Sequence, residues 1–314
     1  MIPALVLTAG LATRLRPLSF IRAKAAMPIA GDPIIRRILR TLRASDVRDV
    51  VLNLHHLPHT ITQVVGDGGD LDVRVRYSWE VPILGSAGGP RLALPLLDAP
   101  TFFVVNGDTL TDVDMAALLA DHRRSGALVT MAVVSQADSA KYGGVRVEAG
   151  GVVTGFTTRG STEPAYHFVG VQVVEAQAFA PVSPGVPAES VSGIYPALIA
   201  TRRGSVRVHV CGAEFFDIGT PDDYLRTSLL VASRESGAPA YGARTRIDAA
   251  ARVEDSILWD DVEVETGSSL RQCIVTDGVR VPAHTSWTGA TLRRADADLA
   301  PNEKVIDGLA VGAI

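Results

Sequence analysis

With 314 residues, 47% of them hydrophobic and 20% charged, the chain has material for a large core and more than one domain, and a formal charge of -4 gives no basic field for a nucleic acid. Its two cysteines, Cys211 and Cys273, lie far apart without CxxC or His-rich company, which argues against a disulfide framework or a zinc site and fits a reducing compartment. No apolar stretch reaches the ~18 residues of a membrane span, and the apolar run from Ile2 leaves no room for a signal sequence, so a cytoplasmic protein without membrane or nucleic-acid partners is expected.

From the start to about Thr227, short apolar runs alternate with amphipathic stretches, the pattern of βαβ units around a mixed, mostly parallel sheet in a Rossmann-like α/β domain. The spacing predicts strands over Ala4–Leu7, Asp49–Leu54, Val73–Tyr77, Thr101–Val105 and Leu128–Val134. Helices are predicted over Pro33–Ala44, Pro58–Val65 and Asp114–Ser125. Gly143 to Gly155 reads as a hairpin turning at Gly150-Gly151, added to the parallel core. Pro221-Asp222-Asp223-Tyr224 opens a helix through Arg234, with proline and acids in the first turn where free N–H groups favour them. Ser236-Gly237-Ala238-Pro239 then breaks it, dividing the chain into domains 1–235 and 236–314.

Beyond the break the sequence repeats at ~17 to 18 residues, the length of one β-solenoid coil. Ile247, Val264 and Val281 line up, as do Val253, Leu270 and Trp287, and Asp255 to Val264 lies over Gln272 to Val281. A short parallel β-helix is expected, with a β-hairpin extension as the simpler alternative. So few coils cannot bury their apolar edge alone and must pack on the first domain or another subunit. Trp259 and Trp287 either cap the coil or support self-association, which makes a homo-oligomer a candidate state.

Chemistry concentrates where the first strand ends. Thr8-Ala9-Gly10-Leu11-Ala12-Thr13 is a small-residue turn in which backbone N–H groups can surround an anion, and Arg14 and Lys24 add charge. Lysine occurs only at Lys24, Lys141 and Lys304, which singles out the one beside this loop. Asn106-Gly107-Asp108 puts a carboxylate at the carboxyl edge of a predicted parallel strand, where α/β ligand sites form, and Asp217 follows in Phe215-Phe216-Asp217-Ile218-Gly219-Thr220-Pro221. Either aspartate is also an ordinary turn or cap former.

The loop Gly10-Leu11-Ala12-Thr13-Arg14-Leu15-Arg16-Pro17 with Arg22-Ala23-Lys24 resembles the signature of the sugar-1-phosphate nucleotidyltransferases, G-x-G-T-R-L-x-P followed by P-K, and the resemblance extends over nearly the whole chain. Ala12 stands at the second glycine and Ala23 at the proline. Leu84-Gly85-Ser86-Ala87-Gly88-Gly89 is similar to the family's L-G-T-A-G, Asn53-Leu54-His55-His56 to its N-x-H-Y, Tyr142-Gly143-Gly144-Val145 to its Y-G-V, and Phe168-Val169-Gly170-Val171 to its sugar-side turn. The resemblance implies a nucleotidyltransferase domain followed by a left-handed β-helix of hexapeptide type. It also implies conversion of an NTP and a sugar 1-phosphate into an NDP-sugar and pyrophosphate.

Site roles follow from the same resemblance. Arg14, Lys24, Asp108 and Asp217 would be catalytic, with Mg²⁺ on Asp108 and Asp217. Thr8, Ala9, Gly10, Ala12, Thr13, Gly85, Ala87, Gly88 and Asn106 would frame the nucleotide. Gly144, Arg159 and Gly170 would meet the sugar phosphate. The family's F-x-E-K-G segment reads Phe156-Thr157-Thr158-Arg159-Gly160 here, so the usual sugar-binding acid is absent, with Glu163, Glu175 and Glu189 as candidate substitutes. The substrate preference leans to mannose 1-phosphate and GTP, with glucose-1-phosphate thymidylyl or uridylyl transfer, or a non-catalytic NDP-sugar-binding homologue, as alternatives.

Overall fold

The computed structural model describes residues 2–135, 138–235, 241–295 and 299–314, so the break at Ser236-Gly237-Ala238-Pro239 lies outside the described residues. The chain divides into two units. One comprises the residues up to Gly10 with Arg36–Pro58 and Val65–Phe216, and the other Leu11–Ile35, His59–Val64 and Asp217–Ile314.

The first unit is built on a nine-stranded sheet. Its strands are β1 (Ala4–Leu7), β2 (Asp49–Leu54), β3 (Arg74–Trp79), β4 (Thr101–Asn106), β5 (Val129–Ser135), β6 (Gly144–Glu148), β7 (Val152–Thr157), β8 (Tyr166–Glu175) and β9 (Val206–Val210). They run in the order β3-β2-β1-β4-β8-β5-β9-β7-β6, with β7 and β8 antiparallel to their neighbours. The continuous apolar runs are explained by burial on both faces, as in β1, β2 and β4. Leu5, Val51, Phe102, Val104, Met131 and Val174 belong to one core with Phe179 and Tyr195. The hairpin read at Gly150-Gly151 joins β6 to β7, with φ of 82° and 84° at its glycines.

The helices read from the sequence are present as α1 (Ile34–Ala44), α2 (Pro58–Val65) and, after the helix α3 (Gly85–Leu97), α4 (Met115–Ser125). Asp114 caps α4 by accepting the Ala117 N–H at 2.9 Å. The sequence did not announce α3, which carries Pro90 and Pro95 inside it; nor did it announce α5 (Tyr195–Thr201).

The second unit holds the repeat. Strands pair in parallel at an interval of 17 residues on three faces, Arg246↔Glu263↔Arg280, Val253↔Leu270↔Trp287 and Ile257↔Ile274↔Thr291. This is the β-helix expected from the aligned apolar positions. Its corners stack left-handed backbone conformations: Arg244, Asp261 and Gly278 at one, Asp255, Gln272 and Gly289 at the next, Gly267 and His284 at the third. Leu258, Val264, Leu270, Val275, Val281 and Leu292 fill its interior. Ala290–Arg294 then pairs antiparallel with Leu309–Ala313, which turns back on Glu303–Ile306 as a hairpin.

The coils do not carry an open apolar edge at Trp259. Its side chain is fully buried and its Nε1 donates to the Tyr224 hydroxyl at 2.9 Å, on the helix α6 (Pro221–Glu235) of the same unit. The reading of Trp259 as a self-association surface is therefore corrected. Trp287 is half-buried, with Nε1 donating to Thr285 Oγ1 at 3.1 Å.

Candidate active site

In the first unit the parallel register places Leu7 beside Asn53 on one side and Asn106 on the other, so three strand ends open onto one edge. The Gly107 N–H donates to the Leu7 carbonyl at 3.0 Å, and a Cβ on Gly107 would come within 2.5 Å of that oxygen. Only glycine lets the turn before Asp108 pass so close to β1. Asp108 itself is half-buried at this edge, and Gly170 on β8 lies against the Asn106 side chain.

Thr8 is buried. Its N–H donates to Asn53 Oδ1 at 2.6 Å and its hydroxyl to the Asn53 carbonyl, so both donors are held within the sheet edge, while Ala9 is buried and Gly10 exposed beyond it. Asn53 Nδ2 in turn donates to Glu80 Oε1 at 2.7 Å, and Glu80 Oε2 accepts the Leu84 N–H at 2.7 Å. This chain of buried groups ties the start of the loop after β1 to the segment Leu84-Gly85-Ser86-Ala87-Gly88, which opens α3. Gly85 takes φ of 73°, and a Cβ there would sit 2.5 Å from Glu189 Oε1. Glu189 Oε2 accepts the Ser86 hydroxyl at 2.5 Å, and the N–H groups of Ala87 and Gly88 donate to the Ala188 carbonyl.

The residues expected from the resemblance to meet the sugar are more scattered. The Gly144 N–H donates to Thr157 Oγ1 at 2.9 Å, and Arg159 is exposed with its Nε donating to the Ala140 carbonyl at 2.7 Å. Glu175 accepts from Thr101 and lies 3.0 Å from His122 Nε2, whereas exposed Glu163 pairs with Arg146 at 3.3 Å. Glu175 is thus held by Thr101 and His122, and Glu163 by Arg146. The Tyr142-Gly143-Gly144 segment meets an aromatic stack: the His167 ring lies 4.3 Å from Tyr142 and 4.4 Å from Phe215, centroid to centroid. Burial and the nearby Lys141 lower the His167 pKa to about 4, and its buried Nδ1 has no hydrogen-bond partner among the described residues.

The second unit carries the cations. Ala12 adopts the left-handed conformation, φ 48° and ψ 44°, that the second glycine of the signature would take freely. Thr13 and Arg14 are exposed. A Cβ placed on Gly219 would lie 3.3 Å from Asp217 Oδ2 and 3.4 Å from both Arg14 Nη1 and Asp223 Oδ2, so one guanidinium and two carboxylates gather around this glycine. Lys24 opens a short 3-10 turn, Lys24–Ala26, and the stretch around it is pinned repeatedly. The Ala23 N–H donates to Thr60 Oγ1, the Tyr224 hydroxyl donates to the Pro28 carbonyl, and the Ala30 N–H donates to Ser228 Oγ. Just before it, Arg22 Nε donates to Asp277 Oδ2 at 2.7 Å and Nη2 to Asp277 Oδ1 and Asp260 Oδ2, each at 2.6 Å, over the face of Trp259. Burial opposes the Arg22 charge, but the bonds to Asp277 and Asp260 outweigh it and push its pKa up.

A family profile described as nucleotidyl transferase matches residues 3–234. The chain belongs to the nucleotidyl transferase family. A second profile, GlmU-like C-terminal hexapeptide, matches residues 240–296, where the coils stack. Among relatives of this nucleotidyl transferase, mannose-1-phosphate guanylyltransferase of Mycobacterium tuberculosis is 29% identical over 90% of this chain and 82% of its own. UTP–glucose-1-phosphate uridylyltransferase of Synechocystis is 28% identical over 88% of this chain and 76% of its own. The crystal structure of HddC from Yersinia pseudotuberculosis shares the fold, with a TM-score of 0.63 at 22% identity over 73% of this chain and 98% of that one.

Several residues now stand out in this nucleotidyl transferase that the motifs had not assigned. Glu80 carries a signal in the sequence, an acid in an apolar setting before Leu84-Gly85, and Glu189, a candidate sugar acid by sequence, holds Ser86 instead. Asp260 and Asp277 were already in register in the repeat, one coil apart, but only the fold brings them to Arg22.

Proposed function

We propose that the chain is a sugar-1-phosphate nucleotidyltransferase that joins an NTP to a sugar 1-phosphate and releases pyrophosphate, with mannose 1-phosphate and GTP as the favoured pair. The observation that carries this reading is the similarity to such an enzyme over about nine-tenths of the chain, together with the nucleotidyl transferase match over residues 3–234. In this reading residues 1–235 form the catalytic domain and 236–314 the β-helix, which the two profile matches support.

The sugar phosphate is ionised near neutral pH, so its oxygen attacks the α-phosphorus without a general base while the bond to the β-phosphate oxygen breaks and pyrophosphate departs. What the protein must supply is position and charge. Arg14 is proposed to bind the β- and γ-phosphates and Lys24 the transferring phosphoryl group. The backbone of Gly85, Ala87 and Gly88 is proposed to frame the base, and Gly144, Arg159 and Gly170 to receive the sugar phosphate.

Asp108 and Asp217 are proposed as ligands of Mg²⁺. Each is a half-buried carboxylate, the oxygen donor a hard cation takes, and among the described residues no three His, Cys, Asp or Glu side chains gather to hold a metal by themselves. That donor set suits Mg²⁺, which completes its shell with substrate phosphates and water. When bound, the ion would neutralise charge on the α-phosphate and the leaving pyrophosphate.

The test is pyrophosphate release from the purified chain with Mg²⁺ across four NTPs and a panel of sugar 1-phosphates. One strong pair supports the reading and names the substrates. Silence across the grid with calorimetric binding of an NDP-sugar would replace it with the non-catalytic one and point to Thr158 and Arg159. Among the described residues no helix is long and apolar enough to cross a membrane, and Cys211 and Cys273 are free thiols, which accords with a proposed cytoplasmic setting.

A further inference from the structure

We propose that Arg22 is a positioning residue through which the β-helix holds Lys24 in place, so that the coils are a working part of the transferase. The inference rests on the functional reading above for the role of Lys24, and on geometry for the rest.

Arg22 lies two residues before Lys24, and its guanidinium is nearly buried, with 13% of the side chain exposed. It meets two carboxylates from successive coils: Asp277 takes the planar fork bidentately and Asp260 takes the remaining Nη2 hydrogen. The Asp260 N–H also donates to Asp277 Oδ1 at 3.1 Å, so the two acids are fixed relative to each other by the 17-residue interval of the coil. Trp259 closes the arrangement, since its ring carries the guanidinium 5.2 Å from the centroid while its Nε1 reaches Tyr224, whose hydroxyl donates to the carbonyl of Pro28. The segment bearing Lys24 is thus gripped by the coils on both sides, directly at Arg22 and through Tyr224 at Pro28. Ala23, Ala25, Ala26 and Met27 are small or apolar and buried, and offer no other ionic anchor. A flexible lysine acting on a transferring phosphoryl group depends on where its backbone is held, because displacement of a catalytic group by about 1 Å can cost on the order of 10²-fold in rate.

The experiment uses the full-length chain and its best substrate pair, with Arg22→Ala, Arg22→Lys, Asp277→Asn and the double variant Arg22→Ala/Lys24→Ala. Arg22→Ala and Asp277→Asn are expected to lose roughly tenfold to 10²-fold in kcat, with the KM for sugar 1-phosphate changed by less than about threefold. Arg22→Lys, which keeps the charge but not the fork, should recover part of the loss. In the Lys24→Ala background, Arg22→Ala should cost less than about threefold, because the residue through which it acts is gone. Amide hydrogen exchange without substrate should quicken over residues 23–30 in Arg22→Ala while residues 257–281 keep their protection. Should Arg22→Ala not fold, Asp277→Asn, which keeps the side chain's size, carries the same readings.

Full kcat in Arg22→Ala or Asp277→Asn, an equal loss with and without Lys24, or unchanged exchange over residues 23–30 would each overturn the proposal. If the wild-type chain turns over no pair at all, the functional reading fails by itself. The exchange measurement then decides alone whether Arg22 holds this segment.

Discussion

Asn53 and Glu80 share a hydrogen bond of 2.7 Å inside the first unit, and each uses its other polar atoms on a different loop. Asn53 reaches the N–H of Thr8 and Glu80 the N–H of Leu84, so the loop after β1 and the segment that opens α3 are joined through two residues 3% and 1% exposed.

Glu80→Ala should therefore leave the Asn53 amide and the Leu84 N–H without acceptors in the interior, at a cost of about 2–4 kcal/mol. Urea unfolding measures it. The KM for the nucleotide should rise more than kcat falls, since Leu84 precedes the framing segment. A loss below about 0.5 kcal/mol would mean that water replaces the carboxylate.

Asp108→Asn keeps the size of the side chain and removes a proposed metal ligand. Turnover should vanish while the melting temperature stays near that of the wild type, and near-normal Mg²⁺-dependent rates would refute the assignment. Lys24→Ala should lose on the order of 10²-fold in kcat if developing charge is left unpaired. A much smaller loss would make the lysine peripheral.

Ala12 occupies a left-handed conformation that costs an alanine roughly 1–2 kcal/mol. Glycine relieves that cost but gives the unfolded chain more freedom. The balance predicts that Ala12→Gly stabilises by about 0.5–1 kcal/mol in denaturant unfolding. Destabilisation would show that the Ala12 methyl packs usefully.

His167 predicts a pH dependence of stability. Burial, and then Lys141, lower its pKa from 6.5 to about 4, so the unfolded chain binds the proton first as the solution is acidified. This contribution is intact above the unfolded pKa and drains away as pH falls from about 6.5 towards 4. His167→Phe, which can keep the stack with Tyr142 and Phe215, should flatten the fall in melting temperature across that window. A slope as steep as the wild type's would assign the acid sensitivity to other groups.

Arg293 and Glu303 form a bidentate pair with both side chains 0% exposed. Glu303→Gln leaves the guanidinium charge buried beside a neutral amide, and the expected loss is about 3–5 kcal/mol in urea unfolding. A loss under about 1 kcal/mol would mean that the hairpin opens and hydrates the arginine.

The legible parts of this chain are those where one local rule acts alone. Apolar runs gave β1, β2 and β4 because each is buried on both faces, the amphipathic stretch Asp114–Ser125 gave α4, and Val253, Leu270 and Trp287 aligned because each coil repeats the same turn. Helix α3 was hidden because Pro90 and Pro95 oppose helix formation and only burial of Ala87, Pro90, Ala93 and Leu97 overrides them. The hairpin of Glu303–Ile306 and Leu309–Ala313 was hidden because it abandons the 17-residue period. Arg14, Lys24, Asp108 and Asp217 are singled out by their resemblance to a family signature, and their roles are proposals. The links from Glu80 to Leu84 and from Arg22 to Asp277 were not legible, because pairings across distant sequence leave no local pattern.

That final hairpin also changes what the end of the stack presents. A stack of parallel strands invites another strand wherever its last rung is bare, and Ala290–Arg294 is the last parallel rung on its face. Leu309–Ala313 takes up that ladder in the opposite direction, and Glu303–Ile306 pairs on its far side. On this face the stacking of coils therefore gives way to a hairpin, and the edge of the sheet passes from the repeat to Glu303–Ile306.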